Sequence, residues 1–146
     1  LSGHFPAAAT DPPMPLEPEL AGMALSAAAH RRAPKMIPLQ PSESNLAAGA
    51  RAYRENCAEC HGLPGRKATP VAAGLSPQPP RLLEKGGMVN NDPPAETYWK
   101  AANGIRLTGM PAFQGSLSSE ELWQVSLFLA NADKLPPAAR QALSAP

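Results

Sequence analysis

At 146 residues the chain has room for one domain, or for one small domain and an extension. Nineteen prolines and an aromatic content of 5% argue against a large conventional core, because much of the 43% apolar fraction is alanine, which buries little area per residue. A net charge of +1 with scattered Lys and Arg argues against nucleic-acid binding, and no apolar run reaches the roughly 18 residues of a membrane span.

In residues 1–41 proline recurs too often for long helices or inner strands. This region reads as an extended, semi-stiff Pro/Ala-rich arm or tether, with disorder as the alternative. Only "EPELAGMALSAAAHRR" is a candidate helix, starting near Pro18 and losing its pattern by Ala33. Phe5, Met14, Leu16, Leu20, Met23, Met36 and Ile37 are apolar anchors by which the arm could lie against the rest. The "HRR" at His30 to Arg32 reads as a short solvated basic patch.

Residues 42–146 form the second unit. Ser42 or Ser44 is a capping residue ahead of a helix whose Leu46, Gly49, Ala50, Tyr53 and Cys57 share one face. That helix delivers "NCAECHG", Asn56 to Gly62, at its C-terminal end. The segment "LPGRKATPVAAGLSPQPPRLLEKGG" then reads as an irregular loop, and loops of that length inside a compact domain usually wrap a ligand or carry function. Asp92 is the expected cap of a short helix "AETYWKAANG", stopped by Gly104. A second loop, "IRLTGMPAFQGS", leads to a capping box at Ser118 to Glu121. The helix it opens has Leu122, Val125, Phe128 and Leu129 as its buried stripe, and "LPPAARQAL" can add a last short helix. No strand or internal repeat is expected; the fold class is all-α.

Cys57 and Cys60 are the only cysteines, and three chemistries compete for them. A redox dithiol needs its Cys-x-x-Cys at a helix N-terminus, where the dipole lowers the thiol pKa; here the helix precedes the motif. A structural zinc needs four ligands, and Cys57, Cys60 and His61 supply at most three, with His4 and His30 far off in the arm. Covalent haem attachment accounts for the whole stretch: the two thiols add across the vinyl groups, and the adjacent His61 sits beneath the iron as its proximal ligand. Met110, on a turn between Gly109 and Pro111, is the candidate for the opposite position, a soft thioether that favours Fe(II). Its ordinary reading would be a core gap-filler. Met88 is the next choice, followed by Met14, Met23, Met36, His4 and His30.

Through "CAECH", "GMP", "GARAY" and "LWQVSLFL", residues of roughly 45–135 resemble the class I cytochromes c, in particular bacterial single-haem domains. The resemblance implies about three to five helices with long loops wrapping one haem c, bound through Cys57 and Cys60, with its iron held by His61 and Met110. It implies that Gly49 and Tyr53 mark a crossing of the first and last helices, facing Val125 and Phe128. It also implies that "PRL", Pro80 to Leu82, supplies the carbonyl that accepts the Nδ1–H of the haem histidine, with Pro79 a rival. Arg81, Tyr98, Trp99 and Arg106 are candidates for holding the haem propionates.

The function so expected is outer-sphere transfer of one electron, with no catalytic residue. The alternatives are a haem subunit fixed to a larger enzyme, or a peroxidase or gas sensor with a labile sixth ligand. Redox proteins would be donor and acceptor, meeting the haem edge transiently near residues 62–68 and 106–115. The resemblance places thioether formation outside an energy-transducing membrane, so the expected location is the bacterial periplasm, with residues 1–41 as a membrane tether or connector.

Overall fold

The computed structural model describes residues 5–84 and 91–145. Among these residues seven helices and no strand are formed: α1 (Glu17–Arg32), α2 (Glu43–Asn56), α3 (Ala58–His61), α4 (Pro70–Gly74), α5 (Pro94–Asn103), α6 (Ser119–Ala130) and α7 (Pro137–Ser144). The all-α expectation holds. Six helices rather than three to five follow residue 42, the excess being the single turns α3 and α4.

The Ser42 hydroxyl accepts the Asn45 N–H at 3.3 Å and starts α2, whose buried face carries Leu46, Gly49, Ala50 and Tyr53. At the start of α6, Ser118 and Glu121 bond reciprocally, backbone to side chain, at 2.8 and 3.2 Å. The expected stripe of α6 is buried, but so are Trp123, Ser126 and Leu127, so this helix is enclosed almost all round. Ser126 is satisfied there by its own Leu122 carbonyl at 2.7 Å.

Helices α2 and α6 cross at Gly49, where a Cβ would lie 2.1 Å from the Gln124 carbonyl oxygen and 2.8 Å from Phe128 Cβ. Only a residue without a side chain permits that approach, and Tyr53 then packs its ring 5.5 Å from that of Phe128. Helix α7 lies on α2 through Ala139 and Leu143, and Arg54 reaches across to the Ala142 carbonyl at 2.7 Å.

The buried apolar residues divide into two clusters. One unites α2, α6, α7 and Leu82; the other joins Ala101 and Ala102 of α5 to Leu122, with Tyr98, Met110, Phe113 and Leu117 packed against it.

The one candidate helix of residues 1–41 forms as the 16-residue α1, which contacts α5, with Ala29 and Ala33 buried and His30 Nδ1 3.2 Å from Glu96 Oε1. Two local expectations change. The loop after His61 is interrupted by α4, capped by the Thr69 hydroxyl. Helix α5 is capped by Pro93, not Asp92, because a residue before proline is pushed out of helical geometry and Pro93 precedes Pro94. Asp92 instead accepts from Lys100 Nζ at 2.6 Å.

Candidate functional site

Helix α2 ends at Asn56, and Cys57 caps both it and the next turn, α3. The cysteine motif is therefore not the tail of α2 but a tight turn of its own. The His61 N–H donates to the Cys57 carbonyl at 2.8 Å and the Cys60 N–H to the same oxygen at 3.2 Å. This i to i+4 relation sets the Cys57 and His61 side chains on one side of the turn. Both thiols are free.

Electrostatics disfavour the redox-dithiol reading. Burial, with the Cys60 thiolate charge behind it, pushes the Cys57 thiol up to about 12, the opposite of what an attacking thiolate requires. No three His, Cys, Asp or Glu side chains gather as a metal cluster among the described residues.

His61 is half-buried, and its Nδ1 lies 2.9 Å from the Pro80 carbonyl oxygen. A carbonyl can only accept, so Nδ1 carries the proton and Nε2 keeps its lone pair. Burial lowers the imidazole pKa, opposed by the Pro80 bond, which favours the neutral ring that a metal needs. Between the rival prolines, the bond is made by Pro80.

Further bonds fix the chain around this ring. The Tyr53 hydroxyl donates to the Gly62 carbonyl at 2.8 Å from inside the core. Gly62 has φ 76, and a Cβ there would strike the Arg81 guanidinium at 2.0 Å. Arg81 donates to the carbonyls of Leu63 and Arg66 and pairs with Glu84 at 3.0 Å. Thr69 donates its hydroxyl to the Glu59 carbonyl at 2.7 Å.

Met110 sits on the other loop, half-buried and packed, like Tyr98, Phe113 and Leu117, against the cluster of Ala101, Ala102 and Leu122. Its carbonyl accepts the Ile105 N–H at 3.2 Å, and its N–H donates to the Thr108 hydroxyl at 3.1 Å. Gly104, at φ 68, lets Met110, Pro111 and Ala112 pass so closely that a Cβ would lie 2.8 Å from their backbone. Gly109 abuts Leu75, whose Cδ2 would be 2.5 Å from a Cβ there. The His61-bearing and Met110-bearing loops therefore meet at Leu75 and Gly109.

The four propionate candidates have different surroundings. Arg81 is committed to the loop carbonyls. The Tyr98 ring stacks on Trp123 at 4.3 Å, and its hydroxyl bonds Ser119 at 3.1 Å. Trp99 is half-buried in α5, and Arg106 is exposed. Of the other iron-ligand candidates, Met14, Met23 and Met36 are exposed on the N-terminal segment and His30 faces Glu96, while His4 and Met88 lie outside the described residues.

Sequence reasoning missed the roles of the Tyr53 hydroxyl, Leu75, Gly104 and Thr108. Only Thr108 had a local signal, a hydroxyl two residues before the methionine that can bond its N–H.

Two free thiols on one turn, an imidazole with an available Nε2 and a half-buried thioether are the donor set that a covalently held haem requires. A family model described as "Cytochrome C oxidase, cbb3-type, subunit III" matches residues 44–129, more than half of the chain. No curated protein and no solved structure matches. The matched span holds the Cys57-to-His61 turn and Met110 and excludes α1 and α7. The chain belongs to this family, and is by that membership a class I c-type cytochrome, a haem c protein of electron transfer.

Proposed function

We propose that the chain carries one electron at a time through a single haem c whose iron is held by His61 and Met110. The observation that supports this most is the Nδ1 bond of His61 to Pro80, which turns an unencumbered Nε2 away from its carbonyl anchor, on a turn bearing both thiols. Bound haem c would supply an iron that alternates between Fe(III) and Fe(II).

Cys57 and Cys60 would carry the thioether links, and burial favours the protonated thiol at Cys57. His61 would donate Nε2 and Met110 its sulfur to the iron. The Pro80 carbonyl orients the imidazole and strengthens its donation, while Thr108 and Gly104 hold the turn that presents Met110. Electrons would enter and leave by contact at the exposed rim near residues 62–68 and 106–115, where Arg66, Lys67, Arg106 and the 89%-exposed Leu107 stand in solvent.

The partners would be redox proteins in the bacterial periplasm. The family's description names an oxidase subunit, which supports a respiratory setting. No helix among the described residues is long and apolar enough to cross a membrane, so a tether made by residues 1–41 would have to work without one of these helices as a span.

A haemochrome spectrum tests attachment: pigment that acidified acetone removes would refute the thioether links. Met110→Ala should abolish the ferric charge-transfer band of a methionine–iron bond and lower the reduction potential, while Met88→Ala leaves both nearly unchanged. A band that survives Met110→Ala would transfer the ligand role elsewhere and favour the labile-ligand alternative.

A further inference from the structure

The family match begins at residue 44 and leaves α1 unexplained. This helix is apolar on two opposite sides. Leu25, Ala28, Ala29 and, just past its end, Ala33 face the body of the protein, with Ala29 at 0% exposure. On the other side Leu16, Leu20, Met23 and Ala27 recur at helical spacing, in solvent, the first three 66%, 62% and 70% exposed. Among the described residues, seven of the nine exposed large apolar side chains fall within the first 37 positions. Leu16 also holds φ 65, a strained conformation for leucine that no burial within the chain offsets. A helix with one apolar face docked and another bare is built to join two surfaces.

We propose that the second surface is α1 of another copy of this chain, packed antiparallel about a two-fold axis near Met23. The stripe is self-complementary in that arrangement. Reversing the helix about residues 23 and 24 sets Leu20 opposite the second copy's Ala27, large against small, and brings the two Met23 side chains together. The charges agree as well. Glu17 and Glu19 occupy the first turn, and His30, Arg31 and Arg32 the last. On one flank of the stripe Glu17 would face the second copy's Arg31. A parallel pairing would set like charges together. One helix pair buries less than a standard protein interface, so the dimer is weak, micromolar or weaker.

Sedimentation of the full haem-loaded chain across the micromolar to millimolar range tests this. The wild type should pass from monomer to dimer, and Leu20→Glu, altered in both copies, should weaken the dimer by about a hundredfold. Glu17→Lys and Arg31→Glu should each weaken it by about fivefold, and the double variant should restore it, because the swapped charges face each other again. All variants should keep the wild-type haem spectrum, since the stripe does not touch the haem-binding elements; failure of the dimer and failure of haem binding are thus read separately. A wild type that stays monomeric throughout, single reversals without effect, or a double variant that is not rescued would overturn the proposal. So would a monomer that binds phosphatidylglycerol vesicles and loses them on Leu20→Glu.

Discussion

The two loops that carry the axial candidates are secured by different physics. On the His61 side, side chains reach in from elsewhere to hold the backbone: Tyr53 takes the Gly62 carbonyl, Arg81 those of Leu63 and Arg66, and Thr69 that of Glu59. On the Met110 side the bonds next to the methionine are local, within Ile105 to Met110. The loop is tied to α5 only after the methionine, where the Phe113 and Gln114 N–H groups donate to the Ala101 and Ala102 carbonyls at 3.0 and 3.2 Å, and two glycines let backbone and Leu75 come close. Bonds from the core distribute the load, so removal of one leaves others. Close approach at a glycine has no such reserve. On the proposed ligation, the histidine would be the more rigidly aimed partner, and the methionine the one that local opening would release first.

The largest expected effect erases the contrast. Gly49→Ala places a methyl group against the Gln124 backbone, so α2 and α6 separate and both loops lose their common frame; a loss of about 3 kcal/mol is expected, read by denaturant unfolding. Next, Gly104→Ala should expose the weaker side alone. Its φ of 68 and its contacts with the backbone of residues 110–112 make any side chain strained, at a cost of about 1–3 kcal/mol. The methionine–iron band should then fade on warming or in mild denaturant before the rest of the protein unfolds. A Gly104→Ala protein whose band disappears only with global unfolding would show that the Met110 loop is not separately weak.

Tyr53→Phe probes the stronger side. It strands the Gly62 carbonyl and should cost about 1–2 kcal/mol of global stability, measured by thermal unfolding. The band should persist until the whole domain melts, because Arg81 and Pro80 still hold the His61 segment.

The same contrast separates what could be read in the sequence from what could not. Helices α2 and α6 were legible because Leu46, Ala50, Tyr53, Leu122, Val125 and Phe128 repeat at helical spacing and Ser118 and Glu121 announce a start. The Cys57-to-His61 turn was legible because its spacing is itself the chemistry. Arg81 was expected at the propionates; its use on loop carbonyls follows from how residues 62–66 fold back, which no local pattern records. Leu75 against Gly109 joins positions far apart in sequence and depends on closure of both loops. The docking of α1 rests on two alanines, too small to stand out in an alanine-rich stretch.

The smallest effect concerns pH, and it too should fall on one side. The Ser118 N–H, followed by the Ser118 hydroxyl, holds the Glu121 carboxyl below its ordinary value of 4.5. A carboxylate favoured in the folded state stabilises it above the unfolded pKa, and that contribution is lost as pH falls through the lower, folded one. Leu122, in the first turns of α6, belongs to the cluster against which Met110 packs, so fraying of that end should loosen the methionine's side and leave the Pro80 bond of His61 alone. Glu121→Gln keeps a capping-box side chain but removes the charge. The wild type should therefore lose the methionine–iron band at a higher denaturant concentration than the variant above pH 4.5, and the two should converge below it. Curves that stay parallel into the acid range would mean that this cap does not support the Met110 loop.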